Sequence, residues 1–211
     1  MRDREKRHRR SPRLPGYDYS QSGAYSITIC TNDRLCLFGD LTDGVMSLNP
    51  AGDMVCKAWN ELPERYQGVN IDAFVVMPNH VHGIIVLNSI DVGTAPRGRP
   101  YSSPFTVDDN DRQPQGVNGD EGQPQRVAPT DGRPMSLPDV VHRFKSWTAK
   151  LYSDGVKRYG WTPFHDHLWQ HNYYEHVIRN ESDLNRIRQY ILENPLAWPN
   201  DEENPNNICS H

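Results

Sequence analysis

His80 and His82 stand two residues apart in Met77-Pro78-Asn79-His80-Val81-His82-Gly83, inside a largely apolar run from Ile71 to Leu87 that the Pro-Asn pair divides. Two apolar runs joined by a short Pro/Asn turn predict a β-hairpin. Side chains two apart on a strand share one face, so both imidazoles project side by side from the start of the second strand. A rigidly held pair of imidazoles suits a divalent cation. The same spacing also suits two hydrogen-bonded histidines on a half-buried sheet, because two ligands alone do not make a site.

A second group of reactive side chains lies near the C-terminus. Leu184, Ile187 and Ile191 recur as the core stripe of a helix expected from a Ser182 cap to Glu193, ended by Asn194-Pro195. Arg186, Tyr190 and Asn194 are spaced four apart along one adjacent side. In that order a guanidinium can hold a phosphate, a phenol can attack it and an amide oxygen can reach a metal. Read plainly, Tyr190 is a half-buried aromatic with its hydroxyl at the surface. Tyr173 and Tyr174 compete with it, but four residues beyond them stand Val177 and Ile178, which offer no polar partner. His165, His167 and His171 form a second histidine group that could hold zinc, in a Pro/Trp-rich context that predicts an irregular segment. Glu175 and His176 are candidates for supporting hydrogen bonds.

The elements that must position these groups follow from periodicity. Ala24 to Thr31 is β-branched and aromatic and predicts a first strand, closed by Asn32-Asp33. Ala51, Met54, Val55, Ala58, Trp59 and Leu62 recur at helical spacing and predict a helix from Ser47 to Tyr66. The hairpin spans Val69 to Leu87. Ser136 caps a second helix whose stripe is Val140, Val141, Phe144, Trp147, Thr148 and Leu151, with Arg143, Lys145 and Lys150 facing elsewhere. A strand is expected over Leu168 to Val177. This order suits an α+β fold, a ferredoxin-like sandwich with an antiparallel sheet and helices on one face.

Composition sets the remaining bounds. The chain has 211 residues, 36% of them hydrophobic, with 17 prolines and a formal net charge of −4. One core is affordable, and any nucleic-acid contact must come from local patches. Residues 1–20 form a basic arm rich in arginine, including Arg10 and Arg13. Residues 21–200 are expected to be a single domain, interrupted at 88–137 by a flexible Gly/Pro/Gln-rich insertion that nearly repeats itself: Gln113-Pro114-Gln115-Gly116-Val117 returns as Gln123-Pro124-Gln125-Arg126-Val127. Residues 201–211 read as a frayed polar tail. Four cysteines without C-x-x-C spacing read as reduced thiols. With no signal-peptide pattern and no apolar run of the ~20 residues a membrane helix needs, a cytoplasmic protein without membrane contact is expected.

The run Phe74 to His82 resembles the His-hydrophobe-His motif of single-tyrosine HUH transposases. Trp169-Gln170-His171-Asn172-Tyr173-Tyr174-Glu175-His176-Val177-Ile178-Arg179-Asn180, then Ile187-Arg188-Gln189-Tyr190-Ile191-Leu192-Glu193-Asn194-Pro195, is similar to the REP-associated branch, as is the opening Arg10 to Tyr19. The resemblance runs from about residue 10 to 200 without the insertion. It implies the HUH endonuclease fold, with His80, His82 and Asn194 as ligands of Mg²⁺ or Mn²⁺ and Tyr190 as the nucleophile. Asn194 stands where members of the family often carry Gln. The implied reaction is cleavage and rejoining of single-stranded, hairpin-forming DNA through a 5′-phosphotyrosine, by a monomer or homodimer. Arg186, Lys145, Arg143, Arg10 and Arg13 are the expected DNA contacts. Two other readings stay open: a hairpin-DNA-binding protein that no longer cuts, and a metal enzyme unrelated to DNA built on residues 165–176.

Overall fold

The computed structural model describes Leu14, residues 16–89 and residues 134–210. The arginine-rich arm with Arg10 and Arg13, and almost all of the expected insertion, lie outside the described residues.

Strand β1 (Gly23–Cys30) is followed by a small hairpin, β2 (Gly39–Thr42) and β3 (Val45–Leu48). Helices α1 (Pro50–Asn60) and α2 (Leu62–Arg65) lead to the long hairpin β4 (Val69–Val76) and β5 (His80–Leu87). Helix α3 (Leu137–Tyr159), strand β6 (Tyr174–Ile178) and helix α4 (Glu181–Ala197) complete the fold. The main sheet has the order β4-β5-β1-β6 with every neighbouring pair antiparallel. That is the split βαβ arrangement of a ferredoxin-like α+β fold.

Alternation along the strands sorts side chains onto two faces. Tyr25, Ile27 and Ile29 of β1, with Val81 and Ile85 of β5, point to one face and form the main core with Val55, Ala58 and Trp59 of α1 and Val140, Val141 and Phe144 of α3. The expected packing of helices on one face holds for α1 and α3. Helix α4 covers the other face, where Ile187 and Ile191 meet Ala73, Val75, Met77 and Ile84. Arg188 fastens it there through a paired hydrogen bond to Asp72, which sits at the irregularity in β4 between Ile71 and Phe74.

Several boundaries differ from the sequence reading, each for a local reason. The helix expected from Ser47 to Tyr66 begins at Pro50, because Asn49 caps it by accepting from the amides of Ala51 and Gly52. It breaks at Glu61, since Pro63 cannot donate to the preceding turn. Ser47 and Leu48 belong instead to the β2–β3 hairpin. Asp43-Gly44, both at positive φ, form its two-residue turn and were the missed signal. Helix α3 keeps its Ser136 cap, with a capping box to Asp139, and ends at Gly160 in the left-handed conformation. The strand expected over Leu168 to Val177 is shorter, with Trp169 making only an isolated bridge to Thr31. Asn180, not Ser182, caps α4, and the helix runs through Pro195 to Ala197. One missing amide donor near a helix end removes only one bond, so the helix survives it. Among the described residues no helix is long and apolar enough to cross a membrane.

Candidate metal and tyrosine site

The site begins with β5. Val81 and Ile85 point into the main core, so His80 and His82 must point to the α4 face. There the two rings meet edge to face, with Nε2 to Nε2 at 3.0 Å. His80 is fully buried and His82 is 5% exposed. Burial is the first cause that pushes both imidazoles down to about 3, so both are neutral at ordinary pH. Each outward nitrogen is engaged: His80 Nδ1 with Asn79 Oδ1 at 2.8 Å, and His82 Nδ1 with Thr28 Oγ1 at 2.7 Å across the β1–β5 ladder.

The stretch after α4 was expected to be a frayed tail, and the structure corrects this. A short 3₁₀ turn, Trp198–Asn200, continues α4 and lays the Trp198 ring 5.9 Å from that of His80. Asp201 then brings a carboxylate oxygen within 3.9 Å of His80 Nε2. Glu203 and Asn204 are buried. The Arg34 side chain holds this segment through the Glu203 carboxylate at 2.8 Å and the Glu202 carbonyl at 3.0 Å. Asn79 holds it by donating to the Glu203 carbonyl at 2.7 Å. Fixed contacts to a buried strand turn, and not propensity, order this acidic stretch.

Helix α4 supplies the rest. Tyr190 is 52% exposed, and its ring lies 5.3 Å from that of His82 in the same chain. One turn on, Asn194 is buried and close enough to interact with His80 and with Tyr190, yet its Oδ1 completes no hydrogen bond. Desolvation pushes the Tyr190 phenol above its ordinary value, and the carboxylates of Asp201, Glu202 and Glu203 push the same way. Asn194 opposes them.

These residues fit a divalent cation. His80, His82 and Asp201 place their ligand atoms within 4.8 Å of one another, and theirs is the one such cluster among the described residues. Two nitrogens that bind one first-row cation at right angles are about 3 Å apart, which matches the imidazole spacing. Each neutral imidazole keeps one nitrogen lone pair that can ligate in the right tautomer, and the Asn194 Oδ1 is a buried acceptor without a partner. Two imidazoles and a carboxylate are a set suited to Mn²⁺ and its neighbours in the first row.

The other expected site residues scatter. Arg186 is exposed on α4, one turn before Tyr190, and pairs with Asp183 at 2.5 Å. Arg143 and Lys145 are on α3, whose apolar stripe packs on the face of the sheet opposite the histidines. Arg143 lies over the Tyr66 ring at 5.5 Å, and Lys145 donates to the carbonyls of Gln170, His171 and Asn172, tying down the approach to β6. The rival histidine group does not assemble among the described residues: His165 and Asp166 pair with each other at 3.0 Å and are 88% and 69% exposed. His176 pairs with Asp183, and Tyr174 is exposed on β6. Asp201, Thr28 and Asn79 were missed. Asn79 adjoins His80 in sequence, but no periodicity links Thr28 or Asp201 to the histidines.

No family model matches the chain. Among solved structures it is similar to a REP-associated tyrosine transposase bound to a REP hairpin, with 18% identity, a TM-score of 0.48, and coverage of 87% of this chain and 72% of that one. A Deinococcus radiodurans protein described as a candidate transposase is also 18% identical, with a TM-score of 0.39 and coverage of 87% and 96%. A Haemophilus influenzae protein described as uncharacterized is 34% identical over 195 residues, 92% of either chain. Identity of that degree across nearly the whole of both chains shows descent from a common sequence: the chain belongs to one family with the Haemophilus influenzae protein.

Proposed function

We propose that this protein is a metal-dependent single-stranded DNA endonuclease and strand transferase, a transposase that acts on hairpin-forming DNA through a 5′-phosphotyrosine. The observation that carries the reading is the meeting, within one chain, of His80, His82, Asp201 and Asn194 with the half-exposed phenol of Tyr190. The motif resemblance supports His80, His82, Asn194 and Tyr190, while Asp201 is added by the geometry alone.

His80, His82 and Asp201 would hold the cation, with Asn194 as a further oxygen donor. A divalent cation there would polarise the scissile phosphate and oppose the burial and the carboxylate charge that raise the Tyr190 phenol. Tyr190 stands at the rim of the buried pair, where a strand too large to enter can still bring a phosphate to the phenol. Its oxygen forms a bond to phosphorus as the bond to the 3′ oxygen breaks. The phenol proton is lost to solvent, and the departing 3′ oxygen gains one. The phosphodiester energy is kept in the tyrosyl ester, so the free 3′-OH of another strand can reverse the step without ATP. Arg186, exposed one turn before Tyr190, serves the DNA backbone by exchanging Asp183 for a phosphate. Tyr190 serves the cation of its own chain, so a monomer suffices.

The test is incubation with hairpin-containing single-stranded DNA and Mn²⁺, followed by a denaturing gel. A protein–DNA adduct that EDTA prevents and that Tyr190→Phe lacks is expected. Tight hairpin binding with no adduct under any divalent ion would replace this reading with that of a binding protein.

A further inference from the structure

The two imidazoles differ in what holds their outer nitrogens. Asn79 is fully buried, and its Nδ2 donates to two carbonyls, Arg34 at 3.1 Å and Glu203 at 2.7 Å. Two carbonyl acceptors on one side fix which end of the amide is nitrogen. Its Oδ1 must then accept from His80 Nδ1 at 2.8 Å. In neutral His80 the proton therefore sits on Nδ1, and the Nε2 lone pair faces the site. His82 Nδ1 instead meets the Thr28 hydroxyl, which can donate or accept. With His80 Nε2 bare, the 3.0 Å contact between the two Nε2 atoms requires His82 Nε2 to carry the hydrogen. That tautomer cannot ligate a cation.

We propose that Asn79 and Thr28 are positioning residues with opposite tasks: Asn79 fixes the ligating tautomer of His80, while Thr28 lets His82 move its proton from Nε2 to Nδ1 when a cation binds. Thr28 donates to His82 in the metal-free protein and accepts from it in the loaded one. No net proton is released by His82, because the hydrogen only changes nitrogen. The loaded state leans on the metal site of the preceding proposal; the metal-free state does not. Because Asn79 also grips Glu203, the amide that sets His80 holds in place the segment that delivers Asp201.

The experiment uses the full chain with ¹⁵N-labelled histidine and long-range proton–nitrogen NMR, with Zn²⁺ as a diamagnetic probe. Metal-free protein is expected to show His80 as the Nδ1–H tautomer and His82 as Nε2–H, with Zn²⁺ converting His82 to Nδ1–H. Thr28→Val keeps the β-branched shape on β1 and is expected to weaken Mn²⁺ binding about 10- to 100-fold, with Thr28→Ser restoring it. Asn79→Ala is expected to let His80 populate both tautomers. Finding His80 as Nε2–H in metal-free protein, or Thr28→Val binding Mn²⁺ as the wild type does, would overturn the inference. Should the wild type bind neither Zn²⁺ nor Mn²⁺, the metal-dependent function fails instead, and the metal-free tautomers still decide the roles of Asn79 and Thr28.

Discussion

The two faces of the main sheet are built on different principles. Under α1 and α3 the contacts are apolar and interlocked: Trp59 stacks on Phe74 with centroids 4.5 Å apart and an 8° tilt, and Phe144 meets the same indole edge-on at 5.5 Å. Under α4 and the C-terminal turn, buried polar groups are set against one another: His80, His82, Asn79 and Asn194, with Asp201 beside them. Burying polar groups costs free energy unless each finds a partner, and it is the apolar face that stabilises the sheet. Gly83 shows how tightly the faces are coupled. It separates His82 from Ile84 on β5 and points the other way, where a Cβ would collide with the Trp59 ring. A glycine beside the histidines thus serves the opposite core. The lesson is that changes on one face should cost stability, and changes on the other should cost chemistry.

Tyr190→Phe and His80→Ala should test that division with the largest effects. Both are expected to abolish the DNA adduct on a denaturing gel, Tyr190→Phe with hairpin affinity and thermal midpoint unchanged, because its phenol is half exposed. A midpoint drop in Tyr190→Phe as large as that of a core variant would break the comparison. Trp59→Ala should lower stability by about 3–5 kcal/mol in urea denaturation, through the cavity left under Gly83, with adduct formation retained wherever the protein remains folded.

The pH dependence of stability sharpens the contrast. The folded-state values of His80 and His82 are depressed to about 3 by burial, against an ordinary 6.5. Between those values the unfolded chain binds more protons, so stability is full above about pH 6.5 and is lost as pH falls toward 3. Urea midpoints of metal-free protein should decline across that window, and His82→Gln should flatten the decline. An equally steep decline in the variant would remove the histidines as its cause.

The smallest expected effect belongs to the ion pair that fastens α4 to β4. Asp72→Asn leaves Arg188 without its carboxylate, and because the pair is partly exposed the loss should be about 1 kcal/mol or less. Adduct yield is expected to fall modestly through a looser α4. A complete loss of adduct would show that this ion pair fixes Tyr190 over the histidines.

What was legible in the sequence was local. Two apolar runs joined by the Pro78-Asn79 turn gave the hairpin, the two-residue repeat of a strand gave His80 and His82 a shared face, and helical spacing gave Tyr190 with Asn194 one turn on. The Asp43-Gly44 turn is a local signal as well, and it was missed beside the apolar spacing that begins nearby. Asn180 and Ser182 are both acceptable caps, and only the backbone path out of β6 chose between them.

Local pattern accounts for the order of the long elements, though not for the β2–β3 hairpin, and for the pairing of ligand types within β5 and α4, because these depend on periodicities of two and 3.6 residues. Only the tertiary structure decided that α4 crosses the histidine face while α3 takes its lysine and arginine to the other. It alone brought Asp201 beside His80 and His82 to complete the candidate metal cluster. Thr28 meets His82, Asn79 meets Glu203 and Arg34 meets Glu202 across 54, 124 and 168 residues, and no local pattern encodes such contacts. They exist because a buried polar group must find its partner wherever the packed sheet and helices leave one.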